Sequence, residues 1–206
     1  MSEVTVSKEN QEIFLKSLRS KTANSHKQLE ESKYSKSILS PSVTLNSYQT
    51  YIAKMYGFVK ACERDVFPFL NNYVPDLALR NKASLIKNDL KITGIAVDLT
   101  EELPVHRFIV SNVAQAMGIM YVLEGSTLGG KFLYKHINEV LKLDEKNGAS
   151  YFWGYGQRTG LLWKTFIAAM ADFAVNENCE DEIISSASQT FGTIAIWLDQ
   201  TEIKLA

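Results

Sequence analysis

Three histidines, two cysteines and one cluster of glycines are the residues with chemistry to offer in this 206-residue chain. His26 falls within residues 10–30, where the apolar positions Ile13, Phe14, Leu18 and Leu29 recur at helical spacing. It follows Leu18 and Thr22 on the inward face, and an imidazole placed there is either a hydrogen-bonded core group or a ligand. Arg19 precedes it by seven residues, about two turns or roughly 10 Å along the axis. The two side chains therefore lie on nearly the same side. His106 follows Pro104, and its one companion at metal spacing is Glu102. The proline keeps that pair off a common helical face, so His106 reads as solvated or capping. His136, between Lys135 and Ile137, reads as surface. Cys62 and Cys179 form neither a Cys-x-x-Cys pair nor a disulfide framework, and Cys62 reads as a small buried hydrophobe. The sequence holds no paired Glu-x-x-His elements, nucleophile elbow, P-loop or Gly-x-Gly-x-x-Gly.

The glycines are more informative. In residues 119–136, IMYVLEGSTLGGKFLYKH, Gly125, Gly129 and Gly130 interrupt an otherwise strong helical segment. Each glycine inside a helix costs roughly 1 kcal/mol against alanine. Gly125 and Gly129 are four apart and share a face. Two physical reasons account for such a stripe. One is close approach of something flat to bare backbone, aided by a kink at Gly and Ser. The other is a tight helix–helix crossing through small residues.

Helices are the elements that must position these groups. Beyond the first, the patterning predicts a turn or helical corner over 31–41 and a long helix over 44–70. That helix turns Tyr48, Tyr51, Ile52, Met55, Phe58, Val59 and Cys62 inward and stops near Pro68. A shorter helix spans 75–91, and the glycine-interrupted helix runs from Val105 to about Leu143. An aromatic, glycine-rich loop over 151–160 feeds a helix ending near Asn176. The last helix, about 181–203, carries Ile183, Ile184, Phe191, Ile194, Ile196, Trp197 and Leu198. With no strand-like alternation, the class is all-α, one domain over 1–206, with residues 1–9 read as a disordered tail. A net charge of −1 gives no electrostatic case for nucleic acid or anionic membrane. No signal-peptide pattern or transmembrane run is present, and the free cysteines suit a reducing cytoplasm.

A helix with one neutral imidazole and a cation two turns away, and a later helix with a bare backbone face, together fit haem. His26 would ligate the iron, Arg19 would meet a propionate and the glycine helix would cover the open face. At these residues the chain resembles the heme oxygenases, in particular the bacterial biliverdin-forming branch that serves bacterial phytochromes. LRSKTANSHKQLE resembles the family's proximal helix and YVLEGSTLGGKFL its distal-helix motif, the most specific match. YFWGYGQRTGLLWKTF resembles the loop and helix start preceding the last helices. The likeness runs from about residue 13 to 200.

The resemblance implies an all-α fold with haem held between a proximal and a kinked distal helix. It implies oxygen-dependent cleavage of haem to biliverdin, carbon monoxide and ferrous iron. Haem is then substrate and cofactor at once, and electrons come from an external reductant through a donor protein, a reductase or ferredoxin. A bacterial phytochrome is the implied biliverdin acceptor. Residue by residue, His26 matches the proximal ligand, Arg19 and Tyr121 match propionate partners, and Gly125, Ser126 and Gly129 match the catalytic distal face. Gly130 belongs to the same haem-facing stretch, and Lys164 and Arg158 are late-helix candidates for propionates. In the mammalian branch an aspartate follows the first distal glycine; here that position is Ser126. Two further readings stay open: a haem carrier without turnover, and a thiaminase-II-like relative that would need Cys62 or Cys179 as nucleophile.

Overall fold

A capping box starts the helix that carries most of the core. Thr44 accepts from the Ser47 amide at 3.2 Å, while Ser47 Oγ accepts from the Thr44 amide at 2.9 Å. In the computed structural model, which describes residues 3–205, this helix is α3 (Leu45–Asp65). All seven of its expected core positions are buried. Before it come α1 (Glu3–Glu30) and α2 (Lys33–Ile38); after it come α4 (Phe67–Leu70), a 3₁₀ turn (Leu77–Arg80), α5 (Ala83–Ile92) and α6 (Val97–Glu101). The chain continues through α7 (Val113–Leu141), α8 (Ser150–Trp153), a second 3₁₀ turn (Gly156–Arg158), α9 (Thr159–Glu177) and α10 (Glu180–Gln200). No strand occurs among the described residues, so the fold is all-α as the patterning predicts.

Five local expectations change. The first helix begins at Glu3, so the described part of the expected 1–9 tail is helical, while residues 1 and 2 lie outside the described residues. The expected 44–70 helix divides near Val66, and the expected 75–91 helix is a 3₁₀ turn followed by α5. The glycine helix starts at Val113 rather than Val105, because residues 103–110 are non-helical. Their backbone is committed elsewhere: the His106 amide donates to Gly57 O at 3.2 Å and the Phe108 amide to Asp65 Oδ2 at 3.0 Å. Asn112 then caps α7 by accepting from the Gln115 amide at 2.9 Å. Finally, Ile13 and Ile196, read as inward, are largely exposed.

The central contact is α7 against α10. At Gly118 an added Cβ would come within 2.6 Å of the Ile183 carbonyl, so this glycine lets the two backbones close. The C-terminal end of α10 is tied to α3. Buried Lys54 donates to the Leu198 carbonyl and sits 3.5 Å from the Tyr34 ring centre, while Trp197 Nε1 donates to the Lys54 carbonyl at 2.8 Å. A lysine on a helix-terminal carbonyl satisfies an orphan acceptor and the helix dipole together. Beneath α7, fully buried Asp89 accepts from the Ser150 and Tyr151 amides at 3.0 and 2.8 Å, which fixes α8. Burial pushes the Asp89 carboxyl up, and these hydrogen bonds oppose that.

Candidate active site

The glycines of α7 divide into two kinds. Gly118 is closed by α10, and at Gly130 an added Cβ would meet the Phe152 carbonyl at 3.2 Å. Gly130 is thus buried where the helix presses on α8, a packing role rather than the ligand-facing one expected of it. At Gly129 an added Cβ would meet nothing within 4 Å, and at Gly125 it would meet only Trp163, at 3.6 Å. No protein neighbour requires glycine at either position. The tight-crossing reading therefore holds for Gly118 and Gly130 and fails for Gly125 and Gly129. The helix is continuous through all of them. Within it, Ser126 and Thr127 donate back to the carbonyls of Leu123 and Glu124, each at 2.6 Å.

Gly125 and Ser126 line a mostly apolar cleft of about 240 Å³, and His26 of α1 lines it too. Met55 of α3, Tyr121 of α7, Trp163 of α9 and Phe191 of α10 complete its walls. The cleft opens into a surface groove of about 630 Å³ that shares His26, Tyr121 and Phe191 with it and adds Arg19. Arg19, His26 and Tyr121 thus meet around one mouth, with Gly125 and Ser126 further in.

His26 is not a core histidine. Its side chain is 54% exposed, because the face that buries Leu18 and Thr22 runs past the packed core and out over the cleft. Its ring stands edge-on to Phe191 with centroids 5.3 Å apart, and Nδ1 lies 3.5 Å from Glu30 Oε2. Nε2 is the ring nitrogen left without that neighbour. Tyr121 leans on Trp163 with ring centroids 5.7 Å apart. A flat, largely apolar group with one metal and peripheral acids suits this set: an imidazole at the mouth, bare backbone inside, aromatic walls and a cation at the rim. Haem is such a group, and Gly125 leaves the space a side chain would fill.

Other expected residues lie elsewhere. Gly129 is exposed one turn beyond Gly125 on the same face, outside the cleft lining. Lys164 and Arg158 are exposed and line neither the cleft nor the groove. His136 reaches back to the Ser40 carbonyl at 3.0 Å. His106 caps no helix and is only partly solvated; it stacks on Phe58 with centroids 5.2 Å apart and meets Trp197 edge-on.

Sequence reasoning missed Trp163 and an ion cluster behind the cleft. Glu124, 1% exposed, accepts from Arg80, from Lys82 Nζ at 3.1 Å and from the Tyr155 hydroxyl at 2.5 Å. A carboxylate inside the apolar run IMYVLEG is itself a signal, since a buried charge demands partners. Which partners it finds, 42 and 44 residues earlier, no spacing rule reveals.

The heme oxygenase family's sequence model matches residues 12–200. The chain is 28% identical to heme oxygenase PigA of Pseudomonas aeruginosa over 185 residues, covering 87% of this chain and 88% of that one. The NO- and CO-bound heme oxygenase of Neisseria meningitidis shares the fold with a TM-score of 0.71 at 23% identity, over 91% of this chain and 90% of that one. Heme oxygenase of Leptospira interrogans does so with a TM-score of 0.75 at 18% identity, over 91% and 99%. Heme oxygenase-1 of Synechocystis in complex with heme gives 0.70 at 19% identity, over 92% of each chain.

Proposed function

The chain belongs to the heme oxygenase family, enzymes that degrade haem, and on that premise we propose that it cleaves haem with oxygen to biliverdin, carbon monoxide and ferrous iron. The observation that carries this reading is the Gly125 face, free of any protein reason to be glycine, in the same cleft as His26. Bound haem supplies the iron that activates oxygen and the macrocycle that is opened. His26 would hold the iron through Nε2, with Glu30 beside Nδ1 to hold the ring's orientation. Arg19 and Tyr121 stand at the mouth, where they would hold the propionates of a bound haem. Trp163 and Phe191 exclude water from the apolar rim. Gly125 brings bare peptide backbone to the cleft, and Ser126 beside it adds only a small hydroxyl. An electron-donor protein supplies the reducing equivalents, and a bilin-binding phytochrome suits the product as acceptor.

The cysteine-nucleophile alternative finds no support. Cys62 is buried and its thiol is pushed well up by burial; the Cys179 thiol is pushed up to about 11, first by burial and then by neighbouring glutamates. Neither is poised to form a thiolate. The deciding experiment is haem addition followed by ascorbate in air, read by absorbance. Loss of the Soret band with growth of a biliverdin band is the expected result. Haem that stays intact through many equivalents of reductant would identify a carrier instead.

A further inference from the structure

Arg80 is fully buried, and its guanidinium nitrogens are engaged on three different elements. Nε donates to the Pro75 carbonyl beside its own turn at 3.2 Å, and Nη1 donates to Glu124 Oε2 of α7. Nη2 donates to the Leu162 carbonyl of α9 at 3.1 Å and to Thr165 Oγ1 at 3.2 Å. Lys82 Nζ and the Tyr155 hydroxyl donate to the other oxygen of Glu124, at 3.1 and 2.5 Å, so the carboxylate is held from both sides.

Both helical contact points sit one residue before a wall of the cleft. Glu124 immediately precedes Gly125, and Leu162 immediately precedes Trp163. In front of the clamp those two walls meet. A Cβ at Gly125 would lie 3.6 Å from the Trp163 ring, and Trp163 also leans on Tyr121 with centroids 5.7 Å apart. Gly125, Tyr121 and Trp163 all line the cleft, whereas Arg80 and Glu124 stand behind it. A buried ion pair gives little net stability over apolar packing of the same volume. What a guanidinium adds is a planar fork of fixed geometry, which an ammonium on a flexible stem lacks.

We infer that Arg80 is a positioning residue that sets the separation of the Gly125 backbone from the Trp163 ring, by holding α7 and α9 on one rigid fork. Its bearing on catalysis rests on the haem-cleaving reading above, in which Gly125 and Trp163 border the space the ring would take. No proton or electron passes through Arg80. The effect is carried by two peptide links, Glu124 to Gly125 and Leu162 to Trp163.

Fluorine NMR of the haem-free protein labelled with fluorotryptophan tests the geometry. Trp153, Trp163 and Trp197 each give a resonance, and the signal lost in Trp163→Phe assigns the one at the cleft. Arg80→Lys keeps the charge opposite Glu124 but replaces the fork by a single donor atom. It should shift or broaden the Trp163 resonance and leave that of Trp197, which packs on α3, unmoved. Haem affinity should fall, and single-turnover conversion should slow by about ten- to a hundredfold, as misplacement by roughly 1 Å does. Thr165→Val removes one α9 contact at nearly constant volume and should move the same resonance less. A purely stabilising role predicts a lower melting temperature with the Trp163 resonance and the haem affinity per folded molecule unchanged, and that result in Arg80→Lys overturns the inference. Should Arg80→Lys fail to fold, Thr165→Val decides alone, and an unmoved Trp163 resonance there overturns it. Haem left intact by the wild type would overturn the haem-cleaving reading, while a shifted Trp163 resonance would still support the clamp.

Discussion

Half-exposed at the mouth of its cleft, His26 contributes little to packing, so removing it isolates ligation from folding. His26→Ala should melt within a few degrees of wild type, yet lose the imidazole-ligated haem spectrum and turnover. Added imidazole should restore part of both. A variant whose haem spectrum matches wild type would remove His26 from the iron. Ser126 asks a finer question. Its hydroxyl proton already goes to the Leu123 carbonyl at 2.6 Å, so toward the cleft it offers lone pairs only. Ser126→Ala should then slow single-turnover conversion by less than about tenfold, a barrier change under roughly 1.4 kcal/mol. A complete block would make this hydroxyl indispensable. Part of the candidate site is legible at this scale: Arg19, His26, Tyr121, Gly125 and Ser126 meet at one cleft and its mouth. Lys164 and Arg158 follow only from the resemblance, as late-helix cations without a motif to fix their face, and they lie away from the cleft.

At the scale of the helix, α7 uses glycine for two unrelated ends, and substitution separates them. Gly118→Leu would drive a side chain into the Ile183 carbonyl, backbone that cannot rotate away. Overpacking costs about 1–3 kcal/mol even where neighbours yield, so this variant should lose much of its stability to thermal melting. Gly129→Leu meets open space and gains roughly 1 kcal/mol of helix propensity. It should fold at least as well as wild type, and it should impair haem binding or conversion because its face continues from Gly125. Wild-type biliverdin formation by Gly129→Leu would end the ligand-facing reading at that turn. The sequence pattern located α7 but misplaced its start by eight residues, because VHRFIV carries enough apolar character to extend a helical period. Competition decided the boundary: Gly57 and Asp65, distant in sequence, claim the amides of His106 and Phe108. The same limit hid Arg80 and Lys82 behind Glu124, since tertiary partners leave no trace in local spacing.

For the molecule as a whole, the segment before α7 is a joint, and its histidine makes that joint sensitive to pH. His106 stacks on Phe58 of α3 and meets Phe108 and Trp197 of α10 edge-on. Burial pulls the imidazole pKa below its ordinary 6.5; Arg64 adds to this, while Asp65 opposes it. The folded protein therefore holds the ring neutral at pH values where the unfolded chain has begun to protonate it. Above about 6.5 neither state carries the proton, and the joint contributes its full stability. As pH falls from there toward the lowered folded value, the unfolded state binds more protons and stability declines. Below the folded value the decline levels off. His106→Phe keeps an aromatic ring among Phe58, Phe108 and Trp197 but removes the titration. Between pH 7.5 and pH 5, the melting temperature of wild type should fall further than that of His106→Phe. The variant should still convert haem normally, because His106 does not line the cleft. Equal falls in the two proteins would show that this imidazole is not what couples the joint to pH.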